Sequence, residues 1–242
     1  MTKLLTALLF SIYGVCASGQ NAVNNYFPKE FWAVDVSMKK QKELERQNQL
    51  LEKQNLTYKE QRELDKLLEK YGEAIESVWD IIDGGCSWYC GGGNYEIRAS
   101  SSLPDSNGIS YSAKSANDLS YRTAWIAGND KGGVGEYLEY FFKNESPRIT
   151  RIIVSNGYMK NAAAWKNNNR VKKLRLFVND KLYGILNLED SDTDQIFQIG
   201  TFGLNENGTD LILRFEIFEV YKGDKDNDTA ITEIYFDGID VH

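Results

Sequence analysis

The spacing of apolar positions changes along the chain, and each change marks an element. Leu4 to Val15 is a short apolar run, interrupted only by Thr6, Ser11 and Gly14; it follows Lys3 and closes on Ala17-Ser18-Gly19. That order is the layout of a secretory signal peptide, too short to span a bilayer, and cleavage after it would leave Gln20 first. A polar linker over 20–36 follows, then a helical spacer over 37–83, read as two helices or one broken helix. Lys39 to Asn55 is rich in Lys, Gln, Glu, Arg and Leu without Gly or Pro, and Thr57 with Glu60 forms a capping box that starts a fresh helix. Beyond it Leu64, Leu67, Leu68, Tyr71, Ile75, Val78, Trp79 and Ile82 recur at three and four residues, one apolar stripe that must pack against something. The first helix offers only Leu44, Leu50 and Leu51 and reads as a solvated arm. A spacer that holds a domain off a surface and a coiled coil that makes oligomers both remain open here.

From Tyr95 onward the period becomes two. Arg148 to Val154 reads as a strand, Leu174, Leu176 and Val178 alternate in the next, and Asn179-Asp180 turns it into Lys181 to Leu188. Gln195 to Ile199, Leu211 to Tyr221 and Ile231 to Phe236 complete the set, separated by turns such as Asn205-Glu206-Asn207-Gly208 and Gly223-Asp224-Lys225-Asp226. Many short strands joined by polar turns predict a mainly β domain, a sandwich or a barrel, over 84–242.

Composition narrows the chemistry. Acidic residues outnumber basic ones by 35 to 28, which disfavours nucleic acid as a partner. No segment after the N-terminal run is apolar enough to cross a membrane as a helix, so a secreted, periplasmic or cell-surface protein is expected. Once Cys16 leaves with the signal, Cys86 and Cys90 remain, and the one histidine is the terminal His242. A Ser-His-Asp triad, a Cys-His dyad or a histidine-rich zinc site therefore has to use a residue where chains fray. An alternative places a lipid on Cys16, although Tyr13-Gly14-Val15 matches the small residues of such a site poorly. Cys86-Ser87-Trp88-Tyr89-Cys90 lies between Gly84-Gly85 and Gly91-Gly92-Gly93, and in an oxidising compartment the pair is expected to close a small disulfide loop around an aromatic turn. A redox-active pair is the alternative, with a spacing one residue longer than the usual redox motif.

Specific blocks then carry a resemblance. Ala99 to Leu103, Asn117-Asp118, Thr123-Ala124-Trp125, Gly133 to Glu136, Asn156-Gly157-Tyr158, Asn169 to Lys172, Val220 to Gly223 and Ile231 to Phe236 occur in the order seen in the NADase-type glycan-binding domain. That domain belongs to the discoidin, or coagulation factor type C, group of galactose-binding-like jelly-roll β-sandwiches. The resemblance spans about 84–242, leaves the helices outside, and does not transfer a hydrolase activity. It implies a structural calcium site at Asp118, Thr123 and Glu233, where a loop after the first strand meets a carboxylate near the C-terminus; calcium takes six to eight oxygens, so carbonyls, a carboxylate and a hydroxyl suit it. Against this, Asp118 also suits a turn cap and Glu233 an ordinary strand position.

For sugars, aromatic faces stack on C–H surfaces while amides and guanidinium groups bond the hydroxyls. Tyr158, Lys160, Trp165, Asn167, Asn169 and Arg170 bring that chemistry into one inter-strand loop, and Trp88 and Tyr89 add to it. The plainer alternatives are a Trp165 folded over the sandwich end and an Arg170 locked in a salt bridge. The expected function is an exported, non-catalytic module that binds a glycan or glycoconjugate. A protein-binding adhesin or envelope assembly component, oligomeric through the helices, stands second, and a two-carboxylate glycosidase third.

Overall fold

The computed structural model describes residues 23–72, 77–82, 87–128 and 131–240. The expected signal peptide and Cys86 lie outside these residues. The strands are β1 (Asn25–Tyr26), β2 (Glu30–Ala33), β3 (Glu96–Ala99), β4 (Trp125–Ile126), β5 (Tyr137–Phe142), β6 (Ile149–Asn156), β7 (Arg170–Val178), β8 (Lys181–Asn187), β9 (Thr193–Phe197), β10 (Leu211–Tyr221) and β11 (Ala230–Gly238). Six form a sheet in the order β1-β8-β7-β10-β5-β3, and five form a second in the order β2-β9-β6-β11-β4. Most pairings are antiparallel, and between the sheets lies a core that draws on both. The expected β-sandwich is present.

β10 shows why. Leu211, Leu213, Phe215 and Ile217 alternate inward and are all buried, while Arg214 on the other face lies over the rings of Tyr137 and Phe177. Phe236 of β11 sits among Trp88, Tyr95, Tyr140, Phe142 and Phe215 with ring centroids 5.0–6.5 Å apart. Burying one such ring contributes about 2–3 kcal/mol. The predicted hairpin between β7 and β8 turns on Asn179 and Asp180, both at positive φ, as a two-residue turn between twisted strands requires.

Three features depart from the sequence reading. The expected polar linker supplies β1, parallel to β8, and β2, antiparallel to β9, so the arm adds an edge strand to each sheet. The first helix, α1 (Met38–Leu51), is no solvated arm: Leu44, Gln47 and Leu50 are buried, and Arg46 and Lys70 make ion pairs between it and α2 (Tyr58–Tyr71). The capping box of Thr57 and Glu60 opens α2 as expected, but the helix stops at Gly72 (φ 76°), and 77–82 is not helical. Positive φ suits glycine and ends a helix, overriding the apolar stripe that runs on past it. Ile75, part of that stripe, lies outside the described residues. Short helices also interrupt the β region, α3 (Tyr89–Gly92) and α4 (Ala162–Asn167).

Segment 77–82 instead lies against the loop 118–123, with Ile81 N–H bonded to Leu119 O at 3.1 Å and Tyr121 N–H to Trp79 O at 2.8 Å. Ile81 and Leu119 pack on Ile153, Ile196 and Tyr235, so they cover the outer face of the five-stranded sheet. That cover explains why β11 is buried on both faces over most of its length.

Candidate functional site

Under this cover three polar residues stand in a row across the sheet, because strand register pairs Glu233 with Ser155 and Ser155 with Asp194. Asp194 is buried and accepts hydrogen bonds from Ser155 Oγ (2.5 Å), Tyr121 Oη (2.5 Å) and Tyr235 Oη (2.9 Å). Burial raises its pKa above the ordinary carboxylate value despite these three donors. Glu233 is fully buried; Oε2 accepts from Leu119 N–H at 3.2 Å, and Oε1 has no partner. Its pKa is well above the usual range, first from desolvation and then from the negative charge of Asp118. Asp118, itself raised by burial, accepts from Thr123 Oγ1 through both oxygens, at 2.8 and 2.7 Å.

This arrangement fits an oxygen-seeking cation. Two carboxyls repel each other, one buried oxygen lacks a partner, and Leu119 between them holds a positive φ of 57°. No cluster of three or more His, Cys, Asp or Glu suited to a metal occurs among the described residues. A cation at Asp118, Thr123 and Glu233 would therefore need hydroxyl and carbonyl oxygens as well, a mixture that suits calcium.

Beside this pair opens a cleft of about 650 Å³, lined by Trp79, Asp118, Arg122, Tyr158, Lys160 and Asn161 among others. It is assembled from the 77–82 cover, the 118–123 loop and the loop that follows β6. The Lys160 ammonium lies 4.8 Å from the centre of the Tyr158 ring, and the positive charge of Arg122 opposes the rise that burial gives the Tyr158 pKa. Tyr158, Lys160, Asp118 and Thr123, assigned by sequence to two different sites, thus share one cleft.

The other expected sugar contacts are placed differently. Arg170 is buried: its Nε and Nη2 bond the Asp190 carboxylate at 2.8 and 3.0 Å, Nη1 bonds Asn168 O at 3.0 Å, and its guanidinium lies 4.6 Å from the Trp165 ring centre. Gly157, at φ 84°, makes this stack possible, since a Cβ there would stand 2.6 Å from Arg170 Cγ and 2.9 Å from Trp165 Cδ1. Trp165 Nε1 donates to Asn156 O at 3.0 Å, and the residue lines a smaller cleft of about 280 Å³ next to the arm, with Asp35 and Asp192. Asn169 is buried, donating to Asn227 O and accepting from Gly223 N–H, both at 2.9 Å. Asn167 accepts through its backbone carbonyl from Lys225 and Asp226. These residues tie α4, β7 and the 222–229 loop together, because buried polar groups at a sandwich end must find partners.

Trp88 and Tyr89 are corrected more sharply. Trp88 is a core residue, against Phe142 and Phe236, and Gly92 lets its ring approach, since a Cβ there would stand 2.4 Å from ring atoms. Tyr89 Oη accepts from Phe236 N–H at 3.0 Å, and burial raises its pKa. Cys90 Sγ accepts from Ser87 N–H at 3.5 Å; the Cys86–Cys90 pairing lies partly outside the described residues. Sequence reasoning missed Trp79, Arg122 and Asn161 as cleft residues. Trp79 was absorbed into a helical stripe and Arg122 sat inside the expected cation loop, so only the assembled geometry exposes them.

A family model described as the NAD glycohydrolase translocation F5/8 type C domain matches residues 88–237. No curated protein matches the chain. Among solved structures, the arabinofuranosyltransferase AftD from Mycobacteria is similar over 61% of this chain and 11% of its own, at 16% identity and a TM-score of 0.42. A mutant form of that transferase is similar over 60% of this chain and 11% of its own, at 14% identity and a TM-score of 0.39. This chain therefore spans 11% of the length of either transferase chain.

Proposed function

The chain belongs to the family of NAD glycohydrolase translocation F5/8 type C domains, and we propose that it acts as an exported, non-catalytic module that binds a glycan in the cleft between Trp79 and Lys160. The observation that carries this reading is the lining of that cleft: the half-buried Trp79 offers an aromatic face, the buried Tyr158 ring lies beneath the Lys160 ammonium, and Arg122, Lys160 and Asn161 add directional polar groups. Sugar recognition needs an apolar face for the ring's C–H surface and a few placed donors and acceptors for its hydroxyls. Asp118, Thr123 and Glu233 hold a structural calcium, which neutralises the two facing carboxyls and fixes the 118–123 wall of the cleft. Export places Cys86 and Cys90 in an oxidising compartment, where they join.

A glycan array probed with the chain, followed by titration of the best ligand, tests the proposal. Trp79→Ala and Lys160→Ala should each weaken binding by about 1–2 kcal/mol, the scale of single contacts in a shallow site, with unchanged melting. A wild-type chain that binds no glycan, or variants that bind as well as wild type, would sink it. Intact mass of the exported form checks the signal and the disulfide together.

One observation favours a protein partner as the second reading. Phe27, Phe31 and Trp32 are exposed along the edge strand β2 and the turn before it. An edge strand with an aromatic surface is a template for strand addition. A partner captured in spite of excess sugar would support that reading over the first.

A further inference from the structure

Granted a glycan in the cleft, we infer that it is an acidic one, carrying a carboxylate or sulfate group held by Arg122 and Lys160. The sandwich otherwise pairs its guanidinium groups consistently. Arg98, Arg148, Arg151, Arg170, Arg175 and Arg214 each form an ion pair with an aspartate or glutamate. Arg122 forms none among the described residues, although the chain has an acidic excess and a net charge of −7. Lys160 likewise forms no ion pair among the described residues; its ammonium lies over the Tyr158 ring instead. These two cations line the same cleft.

Among the described residues the one carboxylate lining that cleft is Asp118, and its two oxygens accept from Thr123 Oγ1 rather than from either cation. The neighbouring smaller cleft carries the opposite sign, with Asp35 and Asp192 and no cation among the described residues of its lining. Asn161 lines both, and its Oδ1 is committed to capping α4 through Ala164 N–H at 2.8 Å, which leaves the Nδ2 amide as a donor to a ligand. An acidic sugar therefore has a preferred place. Its anionic group meets Arg122 and Lys160 in the wide cleft, its ring lies by Trp79, and the acidic neighbour cleft repels a second anionic group. A guanidinium suits this role because its planar fork matches carboxylate and sulfate oxygens in pairs.

The test is an array that carries neutral glycans beside their sialylated, uronate-bearing and sulfated counterparts, followed by titrations of one matched pair at low and high salt. The acidic member should bind roughly tenfold tighter at low salt, the scale of one or two partly screened charge contacts, and the advantage should shrink as salt screens them. Arg122→Gln together with Lys160→Gln should abolish the difference between the pair, over and above any loss of affinity that the two members share. Equal binding of neutral and acidic members, or a double variant that keeps the acidic preference, overturns the inference and leaves the glycan-binding reading standing. A wild-type chain that binds no member of the array overturns both. Matching circular dichroism and melting of the double variant confirm that a lost preference reflects lost charge.

Discussion

Arg170→Ala should destabilise the fold and leave the wide cleft's ligand affinity nearly untouched. The Arg170 side chain is 8% exposed, while its partner Asp190 is 38% exposed. Removal deletes two charge-assisted hydrogen bonds to Asp190, at 2.8 and 3.0 Å, and one to Asn168 O at 3.0 Å, and it takes the guanidinium off the Trp165 ring. Bonds to charged groups contribute roughly 1.5–3 kcal/mol each, and removing one member of a buried pair costs about 3–5 kcal/mol. Asp190 regains water once released, so the lower end applies and the loss is about 3 kcal/mol. For a domain of this size about 2–4 °C of melting temperature goes with each kcal/mol, giving a fall of roughly 6–12 °C. Arg170→Lys keeps the charge but neither the fork nor the stack, and should recover less than half of the loss. Differential scanning fluorimetry measures the shift, and a titration held well below both melting temperatures measures binding. A variant that melts within about 2 °C of wild type but loses its ligand would refute the brace and return Arg170 to the binding surface.

Three further outcomes follow from the same geometry. Gly157→Ala should lower the unfolding free energy by about 2 kcal/mol or more, seen as a lower denaturant midpoint, because φ 84° is strained for alanine and the new Cβ meets Arg170 and Trp165; an unchanged midpoint would show the loop is adaptable. Millimolar calcium should raise the melting temperature over chelator, and Glu233→Gln should remove that rise; identical melting of the wild type in both conditions counts against the site. The third concerns pH. Asp194 has a raised folded pKa through burial, so the folded protein keeps a proton that the unfolded chain has already lost. Its contribution is present below the ordinary aspartate value, about 4, and is lost as pH rises through the folded value. The wild-type minus Asp194→Asn difference in urea stability should therefore fall as pH climbs from about 4 to 8, and a difference that grows over that range contradicts the sign.

Much of the sandwich was legible because its signals are local. β10 shows an uninterrupted alternation of inward residues, and the β7–β8 hairpin is announced by two residues that accept positive φ. The capping box at Thr57 is local in the same way, with each side chain bonding the other residue's backbone. What escaped was set at long range. β1 and β2 sit in a polar stretch whose strand character comes only from β8 and β9 beside it. β5, which the periodicity does not single out, is a strand because β3 and β10 flank it on either side. The apolar spacing runs on past Gly72, but segment 77–82 turns to cover a sheet, with Val78 buried and Ile81 packed on Ile153, Ile196 and Tyr235.

The binding surface was harder to read for a chemical reason. Arginine, tryptophan and asparagine are the residues that hold a sugar, and they are also the ones that brace a sandwich end, since both tasks ask for flat apolar faces and paired donors. Arg170, Trp165 and Asn169 satisfy that description through Asp190, Asn156 and Asn227, so their donors are already committed inside the protein. Arg122 has the same chemistry and no such partner among the described residues, and it faces a cleft. Residue type does not separate the two cases. The separation depends on where a carboxylate or carbonyl falls in space, and for Arg170 that acceptor lies 20 residues away, across the β7–β8 hairpin. For Arg122 the described residues bring none, while they do bring Lys160 and Trp79 from either side of it in sequence. The arginine proposed to bind ligand is thus set apart by what the fold withholds from it, which is a property of the assembled loops and has no local signature.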